Sequence, residues 1–375
     1  MTASRSALGP AAIYGVIHAL IDAACVAAVY RAVPAHRLDA ETAFALVLGY
    51  DLLAFGSQAV FGAAADRWRA ARAALLSGIA ATAIAVGLVS AQPLATMLLA
   101  GIGNALFHVG AGGIVLQSQP GQAAPSGIFV APGALGLAAG IWIGRDGGLE
   151  PVWFFIPLLA AAFLAALRVG NPSLPGASPD TSREAATDEL LPLAAVALLL
   201  FSICVRSFVG MGAAYRCPKD LVLKLGVPLV AFGGKAMGGL LADRLGWVRT
   251  AVGALLLSAP LLAFGGGTTP VVLAGLLLFQ MTMPVTLAGT AQAMPGRPAT
   301  AFGLTCLALV VGAWPTFFPA GRAWYGPLVF VVLTAASALA LFAGLRLLRA
   351  QGDRTVTGMR LPQRVGAVES FDRPA

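Results

Sequence analysis

The sequence contains one stretch twice: AFGSQAVFGAAADR at Ala54–Arg67 and AFGGKAMGGLLADR at Ala231–Arg244. Aligned without a gap, the two copies agree at 8 of 14 positions. The shared pairs are Ala54/Ala231, Phe55/Phe232, Gly56/Gly233, Ala59/Ala236, Gly62/Gly239, Ala65/Ala242, Asp66/Asp243 and Arg67/Arg244. The copies lie 177 residues apart in a chain of 375, which indicates two related halves.

The composition indicates a protein surrounded by lipid. The chain is 58% hydrophobic and 11% charged, with a mean hydropathy of +0.85, whereas soluble domains carry about 25% charged residues. Twelve apolar runs are each close to the length that spans a bilayer as a helix, at 9–30, 42–64, 73–91, 94–116, 125–144, 151–169, 190–214, 222–242, 247–265, 270–289, 299–318 and 324–347. We therefore predict an all-α polytopic membrane protein with twelve transmembrane helices in two pseudo-symmetric six-helix bundles.

The polar stretches divide the chain. Residues 170–190 are rich in Pro, Ser, Asp and Glu and predict a cytoplasmic linker. The first half is then 1–169 and the second half 191–350, followed by a polar and basic cytoplasmic tail at 351–375.

The basic residues predict the orientation in the membrane. The net charge of +8 does not indicate nucleic-acid binding, because nearly all Lys and Arg residues sit at the ends of apolar runs or in the tail. If both termini are inside, the cytoplasmic side carries 15 of these residues and the opposite side seven. The positive-inside rule therefore places both termini in the cytoplasm of a multi-pass protein of the bacterial inner membrane. Without Arg5 and the tail the margin is only eight to seven.

The sequence shows no signature of a cofactor or of catalysis. Its four cysteines have no CxxC or other metal spacing, and GxxxxGK[ST], HExxH and GxSxG are absent. We expect no cofactor, no metal site and no enzymatic activity. An ion gradient is then the expected source of energy.

The second copy of the repeat continues as Gly239-Leu-Leu-Ala-Asp243-Arg244-Leu-Gly246 and resembles the cytoplasmic loop signature of the major facilitator superfamily, Gly-x-Leu-Ala-Asp-Arg-x-Gly. The first copy departs from it, because it lacks the Leu at position 64 and the later Gly. The resemblance covers about 9–350 and implies a gating motif made of Gly62, Asp66, Arg67, Gly239, Asp243 and Arg244.

A second, shorter resemblance concerns the fourth span. Asn104-Ala-Leu-Phe-His108 is similar to a Phe-His segment of the fosmidomycin-resistance-like efflux branch. The arginine that many drug/proton antiporters carry in this helix is missing between 94 and 117.

Polar residues inside apolar spans are candidates for function, because a charge at the bilayer centre costs about 2.5–3.5 kcal/mol on insertion scales. His18 and Asp22 are four residues apart on one helix face, and so are Asn104 and His108. A carboxylate beside imidazoles suits a proton relay. We predict proton coupling by Asp22, His18 and His108.

The second half supplies the intramembrane cations. We predict a substrate site formed by Arg206, Lys235, Asn104 and Gln280, in which the guanidinium fork of Arg206 holds an anionic or hydrogen-bond-accepting group.

Purely structural roles remain alternatives for these residues. Aligning the span ends Tyr30-Arg31 and Tyr215-Arg216 puts Asp22 opposite Arg206, so the two could form a structural ion pair. Lys235 could extend to a membrane face, and His108 could be a satisfied core histidine.

The superfamily resemblance implies a secondary active transporter that works by alternating access. We expect proton-coupled efflux of a small organic solute by a monomer in the lipid bilayer, with no nucleic-acid partner. Proton-coupled uptake of an organic anion is the alternative, and a non-transporting sensor on a transporter fold is the third reading.

The repeat and the arginine distribution predict that the loops at Asp66 and Asp243 share the cytoplasmic face with both termini. Reporter fusions at the two loops and at the C-terminus test this topology. Fusions that place the two loops on opposite membrane faces would contradict it.

Overall fold

The computed structural model describes residues 5–146, 151–169, 190–216, 221–266 and 268–358. Within these residues every regular element is helical. The main helices are α1 (Arg5–Ala35), α2 (Ala40–Asp51), α3 (Gln58–Arg67), α4 (Ala71–Gly87), α5 (Pro93–Ser118), α6 (Ala124–Asp146), α7 (Pro151–Arg168), α8 (Leu190–Arg216), α9 (Leu221–Leu245), α10 (Trp247–Phe264), α11 (Thr269–Gln280), α12 (Met283–Ala293), α13 (Pro298–Ala313), α14 (Pro319–Arg322) and α15 (Pro327–Gly358).

The helices follow the apolar runs of the sequence. Ten described helical stretches are long and apolar enough to cross a membrane, and two more apolar helices, Ala71–Gly87 and Phe154–Arg168, are shorter. Together they coincide with the twelve predicted runs, so a membrane protein with many spans is confirmed, while twelve crossings stay a prediction. The linker at 170–190 lies outside the described residues except for Leu190, and α15 continues past 350 to Gly358.

Two of the spans are interrupted in the middle. Between α2 and α3 lies a π-helical turn, Leu52–Gly56, after which the Ser57 hydroxyl and the Gln58 amide donate to the carbonyls of Leu53 and Ala54. The span of α11 and α12 breaks at Met281–Thr282, just before Pro284. Such interruptions leave backbone groups and short side chains free to take part in a polar site.

The apolar core consists of two main clusters. The larger one is built mainly from α1, α2 and α4–α7 and includes the fully buried Tyr14, Phe107 and Phe129. The second is built almost entirely from the second half and includes Leu199 and Phe330. The larger cluster also takes in Leu287, Phe302 and Cys306 from the second half, so the two packed bundles touch through apolar side chains.

Small residues hold α1 tightly against α6. The glycines are Gly136, Gly140 and Gly144, and they face Ala19, Ala23 and Ala27 of α1. A Cβ atom at Gly140 would lie 2.6 Å from the carbonyl oxygen of Ala23. This close approach is the packing expected of small residues four apart in membrane helices, and it fixes the position of α1.

The first copy of the repeat fastens the first half to the second. The Asp66 carboxylate accepts hydrogen bonds from the backbone N–H groups of Ala299 (3.1 Å) and Thr300 (2.7 Å) and from the Thr300 hydroxyl (2.6 Å). These groups form the N-terminus of α13, where unsatisfied N–H groups and the helix dipole favour an anion. Gly62 packs directly against the same backbone, which leaves no room for a side chain there.

The second copy of the repeat makes the corresponding contact from the second half to the first. The Asp243 carboxylate accepts hydrogen bonds of 2.8 Å from the N–H groups of Ala123 and Ala124 at the start of α6, and Gly239 packs against the same residues. We call these two contacts the Asp66 clasp and the Asp243 clasp. Arg67 and Arg244 are exposed, and among the described residues neither forms an ion pair.

The clasps predict a conformational effect. Replacing both Asp66 and Asp243 by Asn removes two charge-assisted helix caps, each of which we expect to stabilise the closed arrangement by about 1–2 kcal/mol. Spin labels at Trp68→Cys and Leu245→Cys, both exposed positions, should then show a longer and broader distance distribution in a background without native cysteines.

Asp39→Asn is the matched control, because Asp39 caps α2 through the N–H of Thr42 (2.7 Å) within its own half. An unchanged label distance in the Asp66/Asp243 double variant would show that the clasps do not hold this end closed.

Candidate functional site

Three predicted site residues meet inside the first half. His18 and Asp22 lie on α1 and His108 lies on α5. The Nε2 atoms of the two histidines are 2.8 Å apart, and those of His18 and His108 lie 3.1 Å and 3.7 Å from the carboxylate oxygens of Asp22. The histidine side chains are 7% and 6% exposed and that of Asp22 is 15% exposed. We call this group the His–His–Asp triad.

Backbone carbonyls fix the orientation of both imidazole rings. The Nδ1 atom of His18 lies 2.9 Å from the carbonyl oxygen of Phe129, and that of His108 lies 2.8 Å from the carbonyl oxygen of Asn104. A carbonyl oxygen only accepts hydrogen bonds, so each Nδ1 carries a proton and donates it. In the neutral rings both Nε2 lone pairs then point at each other and toward a carboxylate. Because these lone pairs repel one another, the arrangement needs a cation between the two Nε2 atoms and the Asp22 carboxylate.

Asn104 positions the carboxylate of the triad. Its amide nitrogen donates to Oδ1 of Asp22 (2.9 Å) and contacts the Tyr50 hydroxyl (3.3 Å), while its own buried Oδ1 has no hydrogen-bond partner among the described residues. The sequence predicted Asn104 as a substrate contact. In the structure its amide is directed at Asp22, which makes it a positioning residue for the triad.

Aromatic rings and one glycine surround the triad. The ring of Phe129 lies 5.0 Å from that of His18, and the ring of Phe302, from the second half, lies 6.2 Å from that of His108. Gly133 of α6 faces the triad directly, because a Cβ atom there would lie 2.8 Å from Oδ2 of Asp22 and would collide with the His18 ring. The glycine therefore lets α6 pack directly against His18 and Asp22.

Arg206 of α8 occupies a different place from the one that the ion-pair alternative requires. Its side chain is buried, it donates to the Thr282 hydroxyl at the break between α11 and α12, and its Nε has no hydrogen-bond partner among the described residues. Within the described part of the chain no salt bridge joins Arg206 to Asp22, whose close partners are His18, His108 and Asn104. The guanidinium is thus a buried cation without a carboxylate partner there.

Lys235 and Gln280 lie near these groups. Lys235 of α9 is half-buried and within electrostatic range of Asp22, His108 and Arg206. Gln280, at the end of α11, is also half-buried, and its Cβ packs on Gly234, next to Lys235. The described residues therefore bring a carboxylate from the first half and two cations from the second into one region, and their role in substrate binding stays a prediction.

Sequence reasoning missed several of these contacts. Gly133, Phe302 and Tyr50 carry no signal of their own in so apolar a chain, and the partner of Arg206, Thr282, is one of many hydroxyl residues. A usable signal existed for Gly133, since it stands three residues before the glycine series that faces α1.

Comparisons with known proteins identify the fold. No family model matches the chain, and no curated protein matches it. Among solved structures, the chain is similar to the Escherichia coli fucose:proton symporter FucP, with a TM-score of 0.66, 12% identity, and coverage of 92% of this chain and 99% of that one.

Two further structures agree. A bacterial homologue of the iron transporter ferroportin, in an outward-facing state, matches with a TM-score of 0.57, 14% identity, and coverage of 92% and 100%. The human organic anion transporter MFSD10 matches with a TM-score of 0.58, 15% identity, and coverage of 93% and 99%. The likeness of Asn104–His108 to the fosmidomycin-resistance-like branch stays a prediction. The chain has the fold of the major facilitator superfamily transporters, as its repeated Asp-Arg stretch implied.

Proposed function

We propose that the protein is a secondary active transporter that exports a small organic solute in exchange for protons by alternating access between its two halves. The observation that carries the proposal is the His–His–Asp triad, a buried group of three convergent donor atoms that requires a cation. One proton shared between the two Nε2 atoms, beside the Asp22 carboxylate, meets that need. The fold of known transporters supports movement of solute across a membrane.

In the proposed transport cycle, the two clasps hold one end of the molecule closed. With both termini in the cytoplasm of a bacterial inner membrane, the Asp66 and Asp243 clasps close the cytoplasmic end. Two of the matching structures are titled as outward conformations, which agrees with this orientation. Opening the clasps would expose the centre to the cytoplasm.

The proton role of the triad predicts that Asp22→Asn loses transport driven by a proton gradient. The amide cannot carry the charge that balances the shared proton, so substrate movement and proton movement should separate. In proteoliposomes, gradient-driven transport should fall to background, while gradient-free exchange of labelled substrate persists.

Asp51→Asn is the matched control, since Asp51 is also a carboxylate inside a span but is not part of the triad. Accumulation against a gradient at the wild-type rate in Asp22→Asn would count against proton coupling through this residue.

Proton-coupled uptake of an organic anion is the second candidate function, and the unpaired guanidinium of Arg206 favours it. A buried charge without a counterion costs several kcal/mol, and an anionic substrate would offset that cost. One matching structure is named an organic anion transporter and another a fucose:proton symporter. A pH-sensitive dye inside the vesicles separates the two candidates, because protons and substrate move in opposite directions in exchange and in the same direction in symport.

Arg206 also predicts a substrate effect that both candidates share. Arg206→Lys keeps the charge but removes the planar fork, and we expect substrate binding to weaken by about tenfold, or about 1.4 kcal/mol. The binding constant of the purified protein measures this.

Arg145→Lys is the control, because Arg145 is exposed and stacks on Tyr30 at 4.6 Å, away from the centre. Equal substrate binding by Arg206→Lys and the wild type would assign Arg206 to structure instead.

A further inference from the structure

The donor atoms of the His–His–Asp triad have the spacing of metal ligands. Two ligand atoms that are each about 2.1 Å from a metal ion lie about 3.0 Å apart at an octahedral right angle and about 3.4 Å apart at a tetrahedral angle. The three separations in the triad, 2.8 Å, 3.1 Å and 3.7 Å, bracket these values. One ion can therefore contact His18, His108 and Asp22 after only small shifts of the side chains.

The surroundings of the donors are also those of a metal site. Histidines that bind metals donate their second ring N–H to a backbone carbonyl or a carboxylate, which fixes the tautomer. His18 does this to Phe129 and His108 does it to Asn104, while the amide of Asn104 orients the carboxylate. All three ligands are thus held before an ion arrives.

The site is enclosed but accessible. Gly133 lets α6 pack directly against Nε2 of His18 and Oδ2 of Asp22, and the Asp22 side chain is 15% exposed, so an ion can reach the carboxylate. His18 and His108 are buried, and aromatic rings lie beside them, so water competes weakly for the ion.

We propose that His18, Asp22 and His108 bind one divalent transition metal ion in exchange for the shared proton, which makes such an ion a second substrate of this transporter. Two imidazoles and one carboxylate suit ions from Mn²⁺ to Zn²⁺, whereas Mg²⁺ and Ca²⁺ prefer oxygen ligands. The idea that the ion is transported rests on the proposed function. A metal ion and the shared proton would use the same lone pairs, so only one can be present, and exchange of the two follows from the geometry.

The test is Co²⁺ binding to the purified full-length protein, followed by the visible ligand-field absorption of the ion. We expect one Co²⁺ per chain, displaced by Zn²⁺ and not by excess Mg²⁺. Loss of one ligand in His108→Gln should weaken binding at least about 100-fold, since even the loss of a group that only orients a ligand costs about 10- to 100-fold. His36→Gln is the matched control, because the third histidine of the chain lies outside the triad, where its Nε2 contacts the carbonyl of Val89 (2.9 Å).

A second variant keeps all three ligands. Gly133→Ala places a methyl group against the His18 ring and the Asp22 carboxylate, which displaces two of the ligands and should also weaken Co²⁺ binding, whereas Gly253→Ala, where an added Cβ meets nothing within 4 Å, should not. Wild-type protein gives a measurement that needs no variant: Zn²⁺ should raise the unfolding temperature and Mg²⁺ should not, because a ligand that binds only the folded state stabilises it.

The proposal is overturned if the wild type binds no Co²⁺, or if His108→Gln and Gly133→Ala bind it as tightly as the wild type. Mn²⁺ flux into proteoliposomes separates this outcome from failure of the transport function. Metal binding without flux supports the site and counts against transport, whereas proton-coupled transport of an organic solute without metal binding overturns the site alone.

Discussion

The centre of this protein depends on one electrostatic requirement: two imidazole nitrogens and a carboxylate, all acceptors, converge where almost no water reaches them. The carbonyls of Phe129 and Asn104 create the requirement, because they accept hydrogen bonds from the Nδ1–H groups of both histidines and so leave both Nε2 atoms with lone pairs. Without a cation these three acceptor groups repel one another, whereas a cation placed between them is attracted to all three. In the proposed function the first half holds a positive ion, and the second half carries positive charges of its own in Arg206 and Lys235.

Hydrogen bonds join the two halves at one end, whereas among the described residues no salt bridge joins them at the polar centre. The connection comes from the repeated stretch, where a glycine lets two helices approach and an aspartate one turn later caps the helix of the other half. Helix N-termini attract carboxylates without a basic side chain, which is why Arg67 and Arg244 can remain in solvent.

Much of the fold was readable from the sequence, because apolar runs of about 20 residues have few alternatives to a membrane helix. Pairs four residues apart, such as His18 with Asp22, were readable for the same reason that a helix has a fixed pitch. The contact between His18 and His108 was not, since it depends on how α1 and α5 are rotated and packed. The alignment of span ends paired Asp22 with Arg206 because it gives the depth of a residue in the membrane and no information on the direction of its side chain.

The two clasps are unequal, and the difference lies on the helix that builds the cation site. Asp66 is half-buried and accepts three hydrogen bonds from the other half, whereas Asp243 is exposed and accepts two, with a third from Trp247 on its own side. Solvent competes more strongly for Asp243, so the seam between α6 and α9 is the weaker of the two and should part first. Helix α6 carries both the Phe129 carbonyl and Gly133, so loosening its first turn would disturb the contacts that hold the His18 ring. The Asp243 clasp and the proposed cation site would then be coupled through α6, so that a change in one would change the other.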